Sequence, residues 1–127
     1  QRIRIPANGL STYPDIAVVC GDLHLDDKDK DAITNPVVVF EVLSKSTERY
    51  DRGRKFDLYR ELESLKEYVL VSQTEAQVER FLRQDDGNWL LTILKGQDAV
   101  LKFASLNVSL TLSEIYEDVE FQPEESE

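Results

Sequence analysis

Residues 37–43 read Val-Val-Val-Phe-Glu-Val-Leu, the most apolar stretch of the chain and the one that decides its fold. Bulky apolar residues interrupted once by a carboxylate suit a strand inside a sheet better than an alternating surface strand. Ser44-Lys45-Ser46-Thr47 follows, with hydroxyls suited to a helix N-cap, and the spacing predicts a helix from residue 48 to about residue 62 or 64. Gly53 weakens that helix slightly. Lys66-Glu67 then leads into Tyr68-Val69-Leu70-Val71, a second short apolar strand. Strand, helix and strand in this order form a parallel crossover, which places the chain in the α/β class.

Toward the C-terminus the pattern turns antiparallel. Residues 77–83 and 89–94 flank Asp85-Asp86-Gly87-Asn88, and Asp-Gly between two such runs signals a hairpin. Lys95-Gly96-Gln97-Asp98 is a second turn before a strand over 100–103, and Thr111-Leu112-Ser113-Glu114 fits a capping box opening a short helix to Tyr116. Upstream, residues 3–6 read as a short strand and Asn8-Gly9 as a turn. Ile16-Ala17-Val18-Val19-Cys20, bounded by Pro14 and Gly21, reads as a strand buried on both faces that begins at Asp15. The single cysteine, Cys20, then reads as a small core residue in a reducing compartment, the cytoplasm.

Residues 22–31 are polar and acidic and read, as far as Asn35-Pro36, as a solvated loop. Asp27, Asp29 and Asp31 mimic the start of an EF-hand, but Ala32 replaces the required glycine and Val38 the bidentate glutamate, which excludes that reading. No apolar run approaches the roughly 18 residues of a membrane span, and no signal-peptide core is visible. The 127 residues suit a single domain over 1–121, followed by a disordered acidic tail over 122–127. The chain contains no methionine and enters at once on a strand, which suggests an N-terminal truncation.

A formal net charge of -10 argues at first against a nucleic-acid partner, because phosphate binding rests on Lys and Arg. Location changes that inference. Seven acidic residues and no basic ones lie in 114–127, so the rest of the chain carries only -3. Within it, residues 49–60 hold Arg49, Arg52, Arg54, Lys55 and Arg60 against Asp51 and Asp57, a basic local surface.

Glu41 calls for a chemical explanation. A carboxylate flanked by Val39, Phe40, Val42 and Leu43 costs several kcal/mol if it is buried, ionised and unpaired. It therefore faces solvent on one side of an edge strand, pairs with a buried Arg, or binds a metal. With about 100° per residue and Lys55 as origin, Leu58 falls at about 300°, Leu62 at 340° and Tyr59 at 40°, so the apolar arc is centred near Lys55. Asp51, near 320° on the same wheel, shares that arc, so an ionisable pair points inward in the first turns. An ordinary exposed ion pair between Asp51 and Lys55 is the competing reading. Asp15, Glu41 and Lys55 together make a hard-oxygen set suited to Mg²⁺ or Mn²⁺ with an ammonium beside it, the constellation of a phosphodiesterase. The only histidine, His24, lies in the acidic loop, which gives Ser/His or Cys/His catalysis little support, and no Gly-rich phosphate loop exists. Trp89, after a hairpin turn, reads as a packing residue.

Pro14-Asp15 followed by Glu41-Val42-Leu43 resembles the PD-(D/E)xK motif of restriction-endonuclease-like nucleases. Phe40 to Ser44, Ser46-Thr47, Tyr50-Asp51-Arg52-Gly53, Lys55-Phe56, Tyr59-Arg60, Ser64-Leu65 and Glu67 to Val71 are similar to one branch, the restriction endonuclease domain family formerly classed as a domain of unknown function. The resemblance runs from about residue 13 to 121. It implies a restriction-endonuclease-like core: a mixed β-sheet with a strand-helix-strand crossover and a C-terminal antiparallel hairpin. It also implies that Asp15 and Glu41 hold Mg²⁺ or Mn²⁺, with the backbone carbonyl of Val42 as third ligand. Leu43 stands where the motif lysine normally stands, and in this branch the lysine has moved to the following helix, which points to Lys55 as the catalytic cation. Asp51 and Tyr59 are supporting residues, and Arg49, Arg52 and Arg54 are weaker candidates for phosphate contacts. The resemblance also implies an N-terminal region, with a helix carrying a further acidic residue and early strands, which this sequence is expected to lack or to have lost.

The expected function is a metal-dependent endonuclease hydrolysing DNA phosphodiester bonds, with DNA as partner, no membrane and a homodimer as candidate assembly. The alternative is a non-catalytic binding or assembly module that keeps the nuclease fold.

Overall fold

The computed structural model describes residues 2–12, 14–43 and 51–117, apart from the side chains of Leu10, Asp51 and Arg52. Five strands form the main sheet: β3 (Ile16–Val18), β5 (Val38–Leu43), β6 (Glu67–Ser72), β7 (Gln77–Arg83) and β8 (Trp89–Lys95), in the order β3-β5-β6-β7-β8. β5 and β6 run parallel, from Val38 opposite Glu67 to Leu43 opposite Ser72. The other neighbours are antiparallel, so the sheet is mixed around the crossover that the two apolar runs predict. Between β5 and β6 a π-helical turn over Asp51–Lys55 passes directly into α1 (Phe56–Tyr59).

Strand alternation divides the core into two layers. Val39, Leu43, Tyr68 and Leu70 face the helix and pack against Phe56, Tyr59, Leu62 and Leu65. The same layer takes Ile3, Ile5 and Ile33 from a small sheet, in which β1 (Arg2–Ile5) lies between β2 (Leu10–Thr12) and β4 (Ala32–Ile33). Val38, Val69, Val71 and Val78 point the other way, onto Leu101 and Phe103 of β9 (Val100–Phe103) and onto Leu112 and Tyr116. β9 pairs antiparallel with β10 (Val108–Thr111), whose last residue caps α2 (Leu112–Ile115). The fold is therefore a sheet covered on one face by a helix and a small sheet, and on the other by a C-terminal hairpin.

The local turn chemistry behaves as expected. Gly87 closes the β7–β8 turn at φ 87°, and the backbone N–H of Asn88 donates to Asp86 at 2.9 Å. The capping box is complete: Thr111 Oγ1 accepts from the Glu114 N–H at 3.1 Å, and the Glu114 carboxylate accepts from the Thr111 N–H at 3.0 Å.

Three expectations are corrected. The strand from Asp15 to Cys20 is neither long nor buried on both faces: β3 covers three residues at the sheet edge, Ile16 is 56% exposed, and Cys20 is exposed rather than a core residue. A continuous apolar run does not distinguish a central strand from an edge strand with one neighbour. The stretch after the acidic loop contains β4, whose Ala32 and Ile33 add in parallel to β1, steadied by Arg2 Nε at 2.9 Å from Asp29. The helix ends at Tyr59, with Leu62 and Leu65 buried in the turns beyond it. The proposed N-cap and helix start, Arg49 and the tail over 122–127 lie outside the described residues. Among the described residues no helix is long and apolar enough to cross a membrane.

Candidate active site

Alternation along β5 aims Val39, Glu41 and Leu43 at the helix-covered face, so Glu41 is only 4% exposed. The helix supplies what a buried carboxylate requires. Lys55 Nζ lies 2.9 Å from Glu41 Oε1, and the Tyr59 hydroxyl donates to the same oxygen at 3.2 Å. Lys55 and Tyr59 are four residues apart and therefore project from one side of the helical segment. The Tyr59 hydroxyl also lies 3.4 Å from Thr12 Oγ1, which ties β2 to the same cluster. Lys55 itself is nearly buried, with its side chain 14% exposed. The inward ammonium that the helical wheel predicts is therefore present, and its partner is Glu41.

Asp15 reaches the site by another route. β3 pairs with β5 from Val18 opposite Val38 to Ile16 opposite Phe40, and the next residue back is Asp15. There the Asp15 side chain replaces the ladder: Oδ2 accepts from the Val42 N–H at 2.7 Å. This bond holds the Asp15 carboxylate on the peptide that joins Glu41 to Val42. In a strand the N–H and C=O of one residue point to the same edge, so the Val42 carbonyl lies along the edge where Asp15 sits. Asp15 is exposed, so its carboxylate is open to solvent while that of Glu41 is enclosed.

Leu43, at the position where a motif lysine would stand, packs into the core with Phe56 and Tyr59. The cation comes from the helix instead. Arg54 is exposed, while the side chains of Asp51 and Arg52 are outside the described set. His24 and Cys20 line a cavity with Val37, Leu62 and Ser64 near the start of β5, away from Glu41 at its far end.

Sequence reading missed three participants. Thr12 carried no signal beyond its place before Pro14-Asp15. Glu79 is 3% exposed and lies opposite Leu70, which in turn lies opposite Glu41, so two buried carboxylates occupy the helix-covered face on either side of one leucine. Glu67, fully buried on the opposite face, accepts from Arg80 at 3.3 Å and from the Ser105 N–H and hydroxyl. Neither glutamate stands in an apolar run as continuous as that around Glu41.

Comparison with known proteins places this architecture. Residues 1–113 match the model of the family described as "Uma2: Putative restriction endonuclease". Two proteins of Synechocystis sp. (strain ATCC 27184 / PCC 6803 / Kazusa) are similar. The uncharacterized protein slr1290 is 40% identical over 110 residues, 87% of this chain and 56% of that protein. The uncharacterized protein sll1609 is 36% identical over 96 residues, 76% of this chain and 54% of that protein. The chain thus spans about half the length of the curated relatives it matches. Its fold matches the crystal structure of "a putative nuclease belonging to DUF820" from Anabaena variabilis ATCC 29413, with a TM-score of 0.61 at 16% identity, over 87% of this chain and 62% of that one. A family model covering most of the chain, together with the matching fold, shows that the chain belongs to the Uma2 family and carries its restriction-endonuclease-like fold.

Proposed function

We propose that this chain carries the catalytic face of a metal-dependent endonuclease acting on DNA phosphodiester bonds. One observation carries the reading. A buried Glu41–Lys55 pair adjoins the Val42 peptide, and that peptide is held by a second carboxylate, Asp15. The donors suit Mg²⁺ or Mn²⁺: they are hard oxygens, from Asp15, Glu41 and the Val42 carbonyl, with no thiol or imidazole beside them. Among the described residues no group of three or more His, Cys, Asp or Glu is placed to hold a metal ion, so any cation here would rest on two carboxylates and a carbonyl. Mg²⁺ commonly binds through one or two carboxylates and keeps several waters. When bound, such a cation polarises a phosphodiester and lowers the pKa of an attacking water.

The chain's own residues divide the remaining work. Asp15 faces solvent and would meet an incoming phosphate through the cation, while Glu41 is fixed from behind by Lys55 and Tyr59. Lys55 balances the Glu41 charge, so that the pair presents little net charge to a polyanion. Its ammonium, beside Glu41, could also orient water or screen charge developing on the phosphate. Arg54, with Arg49 and Arg52, would contact the DNA backbone.

A non-catalytic module on the same fold is favoured by one specific feature: Lys55 itself neutralises the Glu41 charge. Plasmid nicking with Mg²⁺ or Mn²⁺ decides between them, comparing the chain with Asp15→Ala, Glu41→Ala and Lys55→Ala. Nicking by the parent and its loss in the variants is expected. Equal activity in all four overturns the site, and an inactive full-length protein that binds no metal by calorimetry selects the module.

A further inference from the structure

The outer edge of the main sheet is unusual. β8 is its last strand, seven residues long, and among the described residues it pairs only with β7. Natural edge strands are commonly short, bulged or guarded by charges or proline. β8 reads Trp-Leu-Leu-Thr-Ile-Leu-Lys, with its first charge at Lys95. Leu90, Leu91 and Ile93 are 42–54% exposed.

The hydrogen-bond pattern shows which peptide groups face outward. The Gln84 N–H donates to the Asn88 carbonyl at 2.7 Å, and the Gly96 N–H to the Ala76 carbonyl at 2.9 Å, so bonded pairs alternate along β7 and β8. Leu90, Thr92 and Leu94 therefore turn their backbone groups toward β7. Trp89, Leu91, Ile93 and Lys95 turn theirs toward the open edge.

This edge is complementary to itself. If a second copy lies antiparallel with a twofold axis at Thr92, Leu91 falls opposite Ile93 of the second copy and Trp89 opposite Lys95. Every outward N–H and C=O of one copy then meets an outward group of the other. A shift of one residue loses all of these bonds, and larger shifts shorten the overlap. The exposed Leu91 and Ile93 cover each other on one face, and Leu90 meets Leu94 on the other. Charge follows the same symmetry: Lys95 of each copy arrives at the end of β8 that adjoins the acidic Asp85-Asp86 turn of the other. We propose that the partner of this edge is a second copy of the chain, joined β8 to β8 in an isologous dimer with one continuous sheet.

The decisive experiment uses cysteine placement in a Cys20→Ser background, since Cys20 is exposed. Thr92 on the axis would form a pair without mutual hydrogen bonds, with Cα atoms about 4.5 Å apart, within disulfide reach. Thr92→Cys should therefore crosslink into a covalent dimer under mild oxidation. Leu90→Cys should not, because its two copies would lie about 14 Å apart along the strands. Sedimentation of the uncrosslinked chain should show a concentration-dependent dimer. Ile93→Lys should abolish it with unchanged circular dichroism, while Val108→Lys, at an exposed apolar residue of β10, should leave it intact. A chain monomeric across the micromolar range, crosslinking at position 90 but not 92, or dissociation by Val108→Lys would overturn the proposal. So would a monomer whose Leu91 and Ile93 amides are protected from exchange, because another segment of the chain would then occupy the edge.

Discussion

The Lys55 ammonium and the Glu41 carboxylate sit 2.9 Å apart with only 14% and 5% of their side chains exposed. Such a pair has two separable consequences. Desolvating both charges consumes most of their attraction, so the intact pair adds little stability, yet removing one partner is expensive. Lys55→Met should therefore cost about 3–5 kcal/mol in urea denaturation, and Glu41→Gln/Lys55→Met should recover most of that loss. Nicking should be absent from both. Activity in the restabilised double variant would assign the pair to the fold alone.

Asp15 offers the complementary separation. Its exposed carboxylate makes one described hydrogen bond, from the Val42 N–H. In Asp15→Asn the amide oxygen can still accept that bond, so stability should change by no more than about 1 kcal/mol. Removing the negative charge should weaken Mg²⁺ binding, measured by calorimetry, by about tenfold or more, since even outer-sphere partners of a metal carry that much. Unchanged metal affinity would remove Asp15 from the ligand set.

These two residues show how much of the site the sequence discloses. Glu41 is legible because a carboxylate in an apolar run demands a partner, and Lys55 because it interrupts an apolar helical arc. Asp15 is legible only through its resemblance to a family motif, since its position depends on the antiparallel return of β3 onto β5. The parallel crossover, the β7–β8 hairpin and the capping box rest on local rules and are present as read. β2, β4 and β10 are two to four residues long, and their pairings are too short to impose a period on the sequence. The exposure of Cys20 and Ile16 follows from sheet order, which no run of apolar residues encodes. Glu79 and Glu67 escape notice for the same reason: their burial is created by the strands and the hairpin that cover them.

Glu67 gives a third prediction, on the face away from the site. It is fully buried and joins three strands' worth of structure, accepting from Arg80 of β7 and from Ser105 after β9, while Arg80 also donates to the Lys102 carbonyl. Arg80→Met removes a cation from beside a buried carboxylate and should cost about 3–5 kcal/mol in urea denaturation. Glu67→Gln keeps an acceptor for Ser105 and should cost only about 1–3 kcal/mol. Nicking per folded molecule should be unaffected in both, because this network lies across the sheet from Glu41. Equal costs for the two variants would mean that the hydrogen bonds, not the charge, hold the hairpin on the sheet.

Tyr116 makes the attachment of the C-terminal helix sensitive to alkali. Its hydroxyl lies 2.6 Å from the Ser72 carbonyl and 3.0 Å from that of Gln77, closing α2 onto the β6–β7 connection. Burial pushes the phenol above its ordinary value, and the nearby Glu75 charge acts in the same direction. The folded state therefore favours the neutral phenol. The resulting stability is fully present below the unfolded value of about 10 and is lost as pH rises through the higher folded value. Tyr116→Phe should be about 0.5–1.5 kcal/mol less stable at neutral pH, for want of the hydrogen bond. Above pH about 10 its stability should fall less steeply than that of the parent, so the two curves converge. Because Tyr59 and Tyr68 are also buried, the informative quantity is the difference between the two chains in urea denaturation from neutral to alkaline pH. A constant difference across that range would show that Tyr116 ionises alike in the folded and unfolded chain.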